Sequence, residues 1–401
     1  MDCVAHLSVV TQNYTHSGLY AALNRGKVNT DAVRKVAADL GNADPLYSHV
    51  YSFDTTSWLR PNSFTVDSLG RAHDPQGSKK GEPTQPGWTY SVITRQSHAG
   101  GSWSLPSHVV RVGNTEDRSV FTAQQIGEVV ALHRGEKPVF VGDSGYSTHH
   151  IRWELNRRAV EADLLIRLRS GRVFREKPDV GARPHVKHGN KFHLANPERE
   201  PDRSTTFTSQ RYGDVTVDVY HSLHPELSSN HAGMKNIAGN PIFDITLLHV
   251  STTELTGVKG WWLWWDGDPD ADVKFLFWCY ARRFDIEHLF RFAKQTLGLT
   301  SVRPGSAKMA DVWCVLVMCA YTILAACRRA IGGVCMPWER PRNWLKTTPG
   351  QLRRGVVLSL AHVLCTLGSG VRKVRPKGRA LGAKTGPRER HKVHIKHPKP
   401  G

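Results

Sequence analysis

Three carboxylates have the residue type and the positions that metal-dependent phosphoryl chemistry requires. Asp54 lies in the aromatic and β-branched stretch YSFDTTSW, Asp143 follows the apolar run PVFV, and Glu287 lies in the segment YARRFDIEHLFRFAK. Carboxylate oxygens are the hard ligands that suit Mg²⁺, which keeps several waters and shares the substrate phosphate. Two such ions can activate an attacking water or hydroxyl and stabilise the leaving oxygen. The three acids therefore predict a phosphoryl-transfer site.

The third acid has basic neighbours at helical spacing. At about 100° per residue, Glu287 shares a stripe roughly 80° wide with Tyr280, Arg283, Arg291 and Lys294. The three cations could hold a nucleic-acid backbone across the site. The alternative is a solvated helix face on which Arg283, Glu287 and Arg291 form i,i+4 ion pairs. In both interpretations, apolar residues at 286, 289, 290, 293 and 297 anchor the helix in a core.

Two strands are expected to position the aspartates. Residues 47–58 contain a predicted strand that ends at the carboxylate of Asp54. Residues 138–141 are predicted to form a short buried strand, which is followed by Asp143 in the Gly-flanked turn GDSGY. A helix over residues 148–160 and a strand over residues 163–168 come next. Strands that alternate with helices predict an α/β core with a partly parallel sheet.

The composition changes after residue 170, where Pro, Gly, His and Asn become frequent and period-two segments appear. Residues 171–265 are therefore predicted to be a β-rich insertion that ends in the strand WWLWW. The Trp rings of this strand are expected to lie in the core, and the alternative is that one of them stacks on a nucleic-acid base. The other predicted parts are a shortened helical segment over 1–45, the first part of the core over 46–170, its C-terminal helices over 266–345 and a basic, largely disordered tail over 346–401.

The charge balance favours a polyanionic partner. The formal net charge is +19, and residues 372–401 contribute +10 of it through eleven Lys or Arg and one acid. The body of the chain therefore remains basic without this tail. Nucleic acid is the first candidate partner, and an anionic membrane surface is the second.

The cysteines and the apolar runs predict a cytoplasmic protein. The number of cysteines is seven, which is odd, and no CxxC motif occurs, as is typical of reduced thiols rather than a disulfide framework or a zinc site. The N-terminus shows no signal peptide. The longest uncharged apolar run, residues 312–327, is shorter than the ~20 residues that span a bilayer. It is predicted to be a core helix.

Four further acids are alternatives to the three named above. Asp67 and Asp74 compete with Asp54 for the role of first acid, although neither ends a convincing strand. Asp266 and Asp268 follow the Trp run and are predicted to be turn residues, not metal ligands.

The spacing of Tyr280, Arg283, Glu287 and Lys294 is similar to the YREK signature of DDE transposases of bacterial insertion sequences. The longer segment FDIEHLFRFAKQTLGLT resembles one branch of these transposases that is often seen in actinobacteria. GDSGY resembles the second-Asp motif of that family, and YSFDTTSWLRP resembles its first. The resemblance extends from about residue 19 to residue 342.

This resemblance implies an RNase H-like fold with a β-rich insertion before the helix that carries the last acid. It implies that Asp54, Asp143 and Glu287 are the catalytic residues and the ligands of two Mg²⁺ ions, which Mn²⁺ can replace. It also implies that the neighbours of Glu287 bind DNA; these are Tyr280, Arg283, Arg291 and Lys294.

The reaction that the resemblance implies is cut-and-paste transposition. Water cuts at the transposon end and exposes a 3′-OH, which then attacks target DNA, with a DNA hairpin as an intermediate. The expected partners are double-stranded transposon ends and target DNA, bound by a dimer in the cytoplasm at the nucleoid. Two alternatives remain: a transposase relic that binds DNA without cutting it, and a metal-dependent nuclease without strand transfer. The family usually has a longer N-terminal segment, which favours the relic, whereas the complete acid triad favours the transposase.

Overall fold

The computed structural model describes residues 16–78, 81–98, 102–178, 188–225, 244–253, 260–335, 338–340, 343–366 and 389–394. The fold is mixed α/β, with a mostly antiparallel, partly parallel sheet flanked by helices. The chain divides into two compact units. The first unit comprises residues 1–48, 54–116 and 285–401, and the second comprises residues 49–53 and 117–284.

The elements follow one another in this chain order: α1 (His16–Arg25), α2 (Thr30–Ala43), β1 (Tyr47–Leu59), β2 (Gly70–His73), α3 (Pro75–Ser78), β3 (Thr84–Ser97), β4 (Ser104–Arg111), α4 (Arg118–Val130), β5 (Val139–Gly142), α5 (Thr148–Arg157), β6 (Asp163–Leu168), β7 (Val173–Glu176), β8 (Lys191–His193), β9 (Arg203–Ser209), β10 (Gly213–Pro225), β11 (Ile245–Thr252), β12 (Trp261–Trp265), α6 (Val273–Arg282), α7 (Asp285–Gln295), α8 (Ala307–Ile331), a short 3₁₀ helix (Trp344–Lys346) and α9 (Pro349–Thr366).

The first unit packs a small antiparallel sheet against a long helix. β3 pairs with β2 on one side and with β4 in a second antiparallel ladder, and β1 also neighbours β3. α8 packs on β4 and contacts α1, α2, α7 and α9. The core between them contains large aromatic side chains, among them Trp58, Trp88, Trp103 and Tyr321. Buried rings of this size contribute a large apolar area to the core of the unit.

The helix α8 confirms the prediction that residues 312–327 form a core helix. By length and composition alone, its 25 residues could cross a membrane, but half of its most apolar stretch is buried inside the protein. Ser306 begins the helix, because its side chain accepts a hydrogen bond from the backbone N–H of Met309. The helix extends beyond the predicted run at both ends.

The second unit is organised by one sheet. Its strand order is residues 49–53 of β1, then β5, β6, β12, β11, β10, β7 and β8, with β9 pairing with β10. The β1–β5 and β5–β6 pairs are parallel, and the other pairs are antiparallel. α6 packs on β5 and β6, and α4 packs against α5. The partly parallel sheet predicted from the alternation of strands and helices is confirmed at β5 and β6.

Several predicted elements are confirmed, and others fall outside the described residues. The strands at 163–168 and 261–265 have the predicted bounds, and the elements described between residues 171 and 265 are all strands. The segment predicted to be a disordered tail begins with the helix α9. Most of the remaining tail, and residues 1–15 of the N-terminal segment, lie outside the described residues.

Candidate active site

Asp143 lies where a parallel strand ends in the second unit. β5 ends at Gly142, and Asp143 is the first residue of the following turn, as predicted. Its Oδ1 accepts a hydrogen bond from the backbone N–H of Gly145 at 2.9 Å, which holds the half-buried carboxylate against its own turn. In α/β sheets, ligands bind outside the carboxyl ends of parallel strands. Asp143 therefore has the position expected of a ligand-binding acid.

The turn that carries Asp143 is anchored by aromatic packing. The ring of Tyr146 makes an edge contact with Phe53, with 4.7 Å between the ring centroids, and both rings are buried. The guanidinium of Arg118 lies 5.6 Å from the centre of the Tyr146 ring. Gly142 completes this packing, because a Cβ at residue 142 would come within 2.4 Å of the Phe53 ring.

We expect Gly142→Ala to destabilise the fold by about 1–3 kcal/mol, because an added methyl group must displace a fully buried ring. Urea unfolding followed by circular dichroism measures this loss. Gly171→Ala is the matched control, since a Cβ there meets no atom within 4 Å. Equal stability of Gly142→Ala and the wild type would show that Phe53 does not constrain the turn.

Three further side chains lie near Asp143 in the second unit. Burial raises the pKa of the Tyr280 phenol, Asp143 raises it further, and the cations Arg283 and Arg167 lower it. Tyr280 is only 7% exposed, since it belongs to the core and lies 5.6 Å from the ring of Trp261. The guanidinium of Arg167 lies beside the phenol. One carboxylate, one phenol and two cations therefore share this part of the unit.

Arg167 is absent from the residues proposed from the sequence. It occupies β6 opposite Leu263 of β12, and it is half-buried between fully buried neighbours. The signal in the sequence is a lone cation inside the apolar strand DLLIRL. Such a residue needs a partner or a function, because a buried charge without compensation is costly.

The structure corrects the prediction that a strand ends at Asp54. β1 continues to Leu59, so Asp54 lies within the strand, half-buried, and its Oδ1 accepts a hydrogen bond from the backbone N–H of Thr55 at 2.7 Å. The strand continues because its second half has its own core. Thr56 and Trp58 are buried at alternate positions, and the Trp58 ring makes an edge contact with Trp88 at 5.6 Å.

The structure also corrects the prediction of one continuous helix around Glu287. α6 ends at Arg282, residues 283 and 284 form a turn, and α7 begins at Asp285. The backbone N–H of Arg283 bonds to the carbonyl of Tyr280 at 3.0 Å, which closes the tighter last turn. Tyr280 and Arg283 therefore do not share one helix face with Glu287, Arg291 and Lys294.

The physical reason for this break is the direction of two apolar stripes. α6 buries residues 273, 276, 277, 279 and 280 in the core of the second unit, and α7 buries residues 286, 289, 290 and 293 in the core of the first. At 100° per residue, the two stripes would point roughly 120° apart on one straight helix. A single helix would expose one of them, so the chain turns between them.

Three predicted site residues remain together on α7, where Glu287 occupies the first turn. Glu287 is half-buried and Arg291 is exposed. Lys294 is half-buried, and burial alone lowers the pKa of its ammonium group. Among the described residues, no acid forms an ion pair with Lys294. A desolvated cation of this kind is suited to an anionic partner, because its burial is otherwise unfavourable.

The rival acids have structural contacts in the first unit. Asp67 accepts a hydrogen bond from the backbone N–H of Ala307, at the start of α8, at 2.8 Å. Asp74 is buried and accepts a hydrogen bond from the side chain of Gln85 at 2.6 Å. Each contact holds a loop or a helix end.

Asp266 and Asp268 are structural turn residues, as predicted. The Asp266 carboxylate receives two bonds from the Arg152 guanidinium, at 2.7 and 2.6 Å, and others from the backbone N–H of Leu164 and the Trp264 indole. Asp268 accepts a hydrogen bond from the backbone N–H of residue 270 at 3.0 Å. The contacts of Asp266 satisfy a nearly buried carboxylate and account for it without a metal ion.

The chemistry of the proposed donor set fits Mg²⁺, because Asp54, Asp143 and Glu287 supply hard oxygen ligands. However, among the described residues, no group of three or more His, Cys, Asp or Glu side chains is placed to hold a metal ion. The acids therefore fit this ion by their chemical type.

Comparison with known proteins identifies the family. The family model described as the transposase DDE domain matches residues 104–323, more than half of the chain, including Asp143 and Glu287. A search of curated proteins finds no significant match. Seven chains of solved structures match, among them one in the cryo-EM structure of the piggyBac transposase synaptic complex with hairpin DNA, with a TM-score of 0.37 and 12% identity. That match covers 83% of this chain and 55% of the piggyBac chain, so this chain spans about half of the length of that protein. Because the family model matches more than half of its residues, the chain belongs to the transposase DDE domain family.

Proposed function

We propose that this protein is a DNA transposase of the YREK branch with an RNase H-like catalytic core. It cuts at transposon ends and then joins the exposed 3′-OH to target DNA. In the first step, water attacks the phosphorus, the bond from phosphorus to the 3′-oxygen breaks, and a 3′-OH is released. In the second step, this hydroxyl attacks a phosphorus in target DNA and displaces the target's own 3′-oxygen.

The observation that carries the proposal is the position of Asp143. It lies at the end of a parallel strand, inside the segment that matches the transposase DDE domain, with Tyr280, Arg283 and Arg167 beside it. An acid next to two cations suits a site that binds a metal ion and the phosphate that the ion activates.

Asp54 and Glu287 are the other two acids of the proposed triad. In the parallel ladder, Ser52 of β1 pairs with Val141 of β5, and Asp54 and Asp143 each follow their member of this pair by two residues. Glu287 lies in the family match and occupies the first turn of α7. When bound, Mg²⁺ or Mn²⁺ would activate the attacking oxygen and stabilise the leaving oxygen.

The basic side chains are proposed to hold the DNA backbone. Lys294 is a half-buried cation that forms no ion pair with the described residues, and Arg291 is exposed on the same helix. Arg283 lies beside Tyr280, and Arg167 approaches the same phenol. Phosphate contacts of this kind fix the position of a duplex without reading its sequence. We further propose a DNA hairpin intermediate between the two steps. The exposed 3′-OH attacks a phosphorus of the opposite strand and displaces the 3′-oxygen of the flanking DNA, and water then opens the hairpin and regenerates the 3′-OH. We also propose a dimer on DNA and a location at the bacterial nucleoid.

A second candidate function is a DNA-binding relic without cleavage activity. A third candidate, a nuclease, would cut DNA without joining it.

The test uses purified full-length protein and a plasmid that carries the coding region with its natural flanking DNA. We expect cleavage at the element ends and joining to a second plasmid when Mg²⁺ or Mn²⁺ is present, and neither product in EDTA. Sequencing of the junctions detects strand transfer. Absence of cleavage with both ions would favour the relic, and cleavage without joining would favour the nuclease.

A further inference from the structure

An open basic cleft in the first unit lies outside the proposed catalytic residues. It has a volume of about 430 Å³ and lies between α1 and the start of α8. The polar and charged side chains that line it are Tyr20, Asn24 and Arg25 of α1, together with Arg303 and Ser306 before α8. The described residues that line it include no acid.

The two arginines reach the cleft from different parts of the sequence. Arg25 and Arg303 are both exposed, and neither forms an ion pair with an acid among the described residues. A solvated cation needs no partner, but two cations from distant segments facing one cleft create a local positive potential. The nearby Asp67 is engaged by the backbone N–H of Ala307, at the start of α8.

A third arginine adds to this potential. Arg60 is half-buried, and burial lowers the pKa of its guanidinium, as does the positive charge of Arg303. Its Nε donates a hydrogen bond to the hydroxyl of Ser63, and its guanidinium lies 5.9 Å from the centre of the Trp88 ring. Arg60 and Arg303 therefore repel each other, and a bound anion would relieve that repulsion.

We propose that this cleft binds the phosphate backbone of duplex DNA, as a contact separate from the proposed catalytic residues. The proposal rests on the proposed function as a DNA transposase and names an additional DNA-binding surface for it. The cleft is open and is lined by charged and polar side chains as well as apolar ones, unlike the enclosed apolar pockets that bind small molecules. Guanidinium, phenol and amide groups are common partners of DNA phosphates.

The test is the salt dependence of binding to a fluorescein-labelled duplex of arbitrary sequence, measured by fluorescence anisotropy with the full-length protein. In a plot of the logarithm of the binding constant against that of salt concentration, each lost phosphate contact reduces the slope by about 0.9. In the double variant Arg25→Gln/Arg303→Gln, we expect the magnitude of this slope to fall by that amount for each of the two arginines. The variant Arg25→Lys/Arg303→Lys should keep most of the slope, because it retains both charges.

The matched control is Arg71→Gln/Arg353→Gln, which removes the same net charge at two exposed sites outside the cleft. It should keep the wild-type slope. A slope that is unchanged in the cleft variant, or reduced equally in both double variants, would overturn the cleft as a site. A wild type that does not bind the duplex at any salt concentration would refute the proposed transposase function as well. Circular dichroism of each variant checks that the fold is retained.

Discussion

Asp143→Asn is expected to reduce cleavage of element-end DNA by on the order of 10³-fold at saturating Mg²⁺. The substitution keeps the shape of the side chain and an oxygen that can accept the hydrogen bond from Gly145. It removes the negative charge that would hold the proposed metal ion, and a factor of 10³ corresponds to about 4 kcal/mol of the transition-state stabilisation that such an ion would supply. Glu287→Gln is expected to have a similar effect, because it removes the third acid in the same way.

The measurement is single-turnover cleavage of a labelled transposon-end duplex, with DNA binding measured in parallel. Asp270→Asn is the matched control, since Asp270 is an exposed acid in the turn before α6. It should cleave at the wild-type rate. Equal cleavage by the wild type, Asp143→Asn and Glu287→Gln would remove both acids from the catalytic site. Weaker DNA binding by a variant would indicate a role in binding instead.

Asp266→Ala is expected to destabilise the protein by about 3–5 kcal/mol and to lower its melting temperature by roughly 6–20 °C. The Arg152 and Asp266 side chains are 10% and 5% exposed and form a two-bond ion pair. Loss of the carboxylate leaves a guanidinium with one remaining bond, to the carbonyl of Ala162. It also removes the acceptor for the backbone N–H of Leu164.

Differential scanning fluorimetry measures this loss, and Asp270→Ala serves as the control because its side chain is exposed. A double-mutant cycle separates the ion pair from the other contacts of Asp266. The variant Arg152→Met/Asp266→Asn should be less destabilised than the sum of its two single substitutions, because neither charge is left without a partner. Strict additivity, or an Asp266→Ala variant as stable as the wild type, would contradict the proposed role of the pair.

The sequence predicts best where a pattern is local and strong. The strand at 163–168, the Trp strand at 261–265 and the position of Asp143 after β5 follow from short apolar runs bounded by turn residues. The helix α8 follows from a long apolar run whose start is capped by Ser306. These signals are contained within a few neighbouring residues, so the rest of the chain does not need to be known.

The features that the sequence misses depend on contacts between distant residues. Arg167 neighbours Tyr280, more than a hundred residues later, and the apolar strand around it gives no sign of that partner. Asp54 is followed by further strand because Trp58 packs against Trp88 from another strand. The sequence does not reveal the turn at residues 283 and 284, because helical periodicity continues on both sides of it and only the helix face that is buried changes.

That turn changes the meaning of the YREK spacing. Between Arg283 and Glu287, residue 284 belongs with Arg283 to the turn, and residues 285 and 286 begin α7. This turn joins two helices, each of which is fixed by a different core. Deleting or adding one residue there would rotate one apolar stripe by about 100° relative to the other, or force the turn to absorb the change. The spacing is thus a requirement on the length of a connection. Substitutions that keep this length should be tolerated between the two helices more readily than any insertion or deletion.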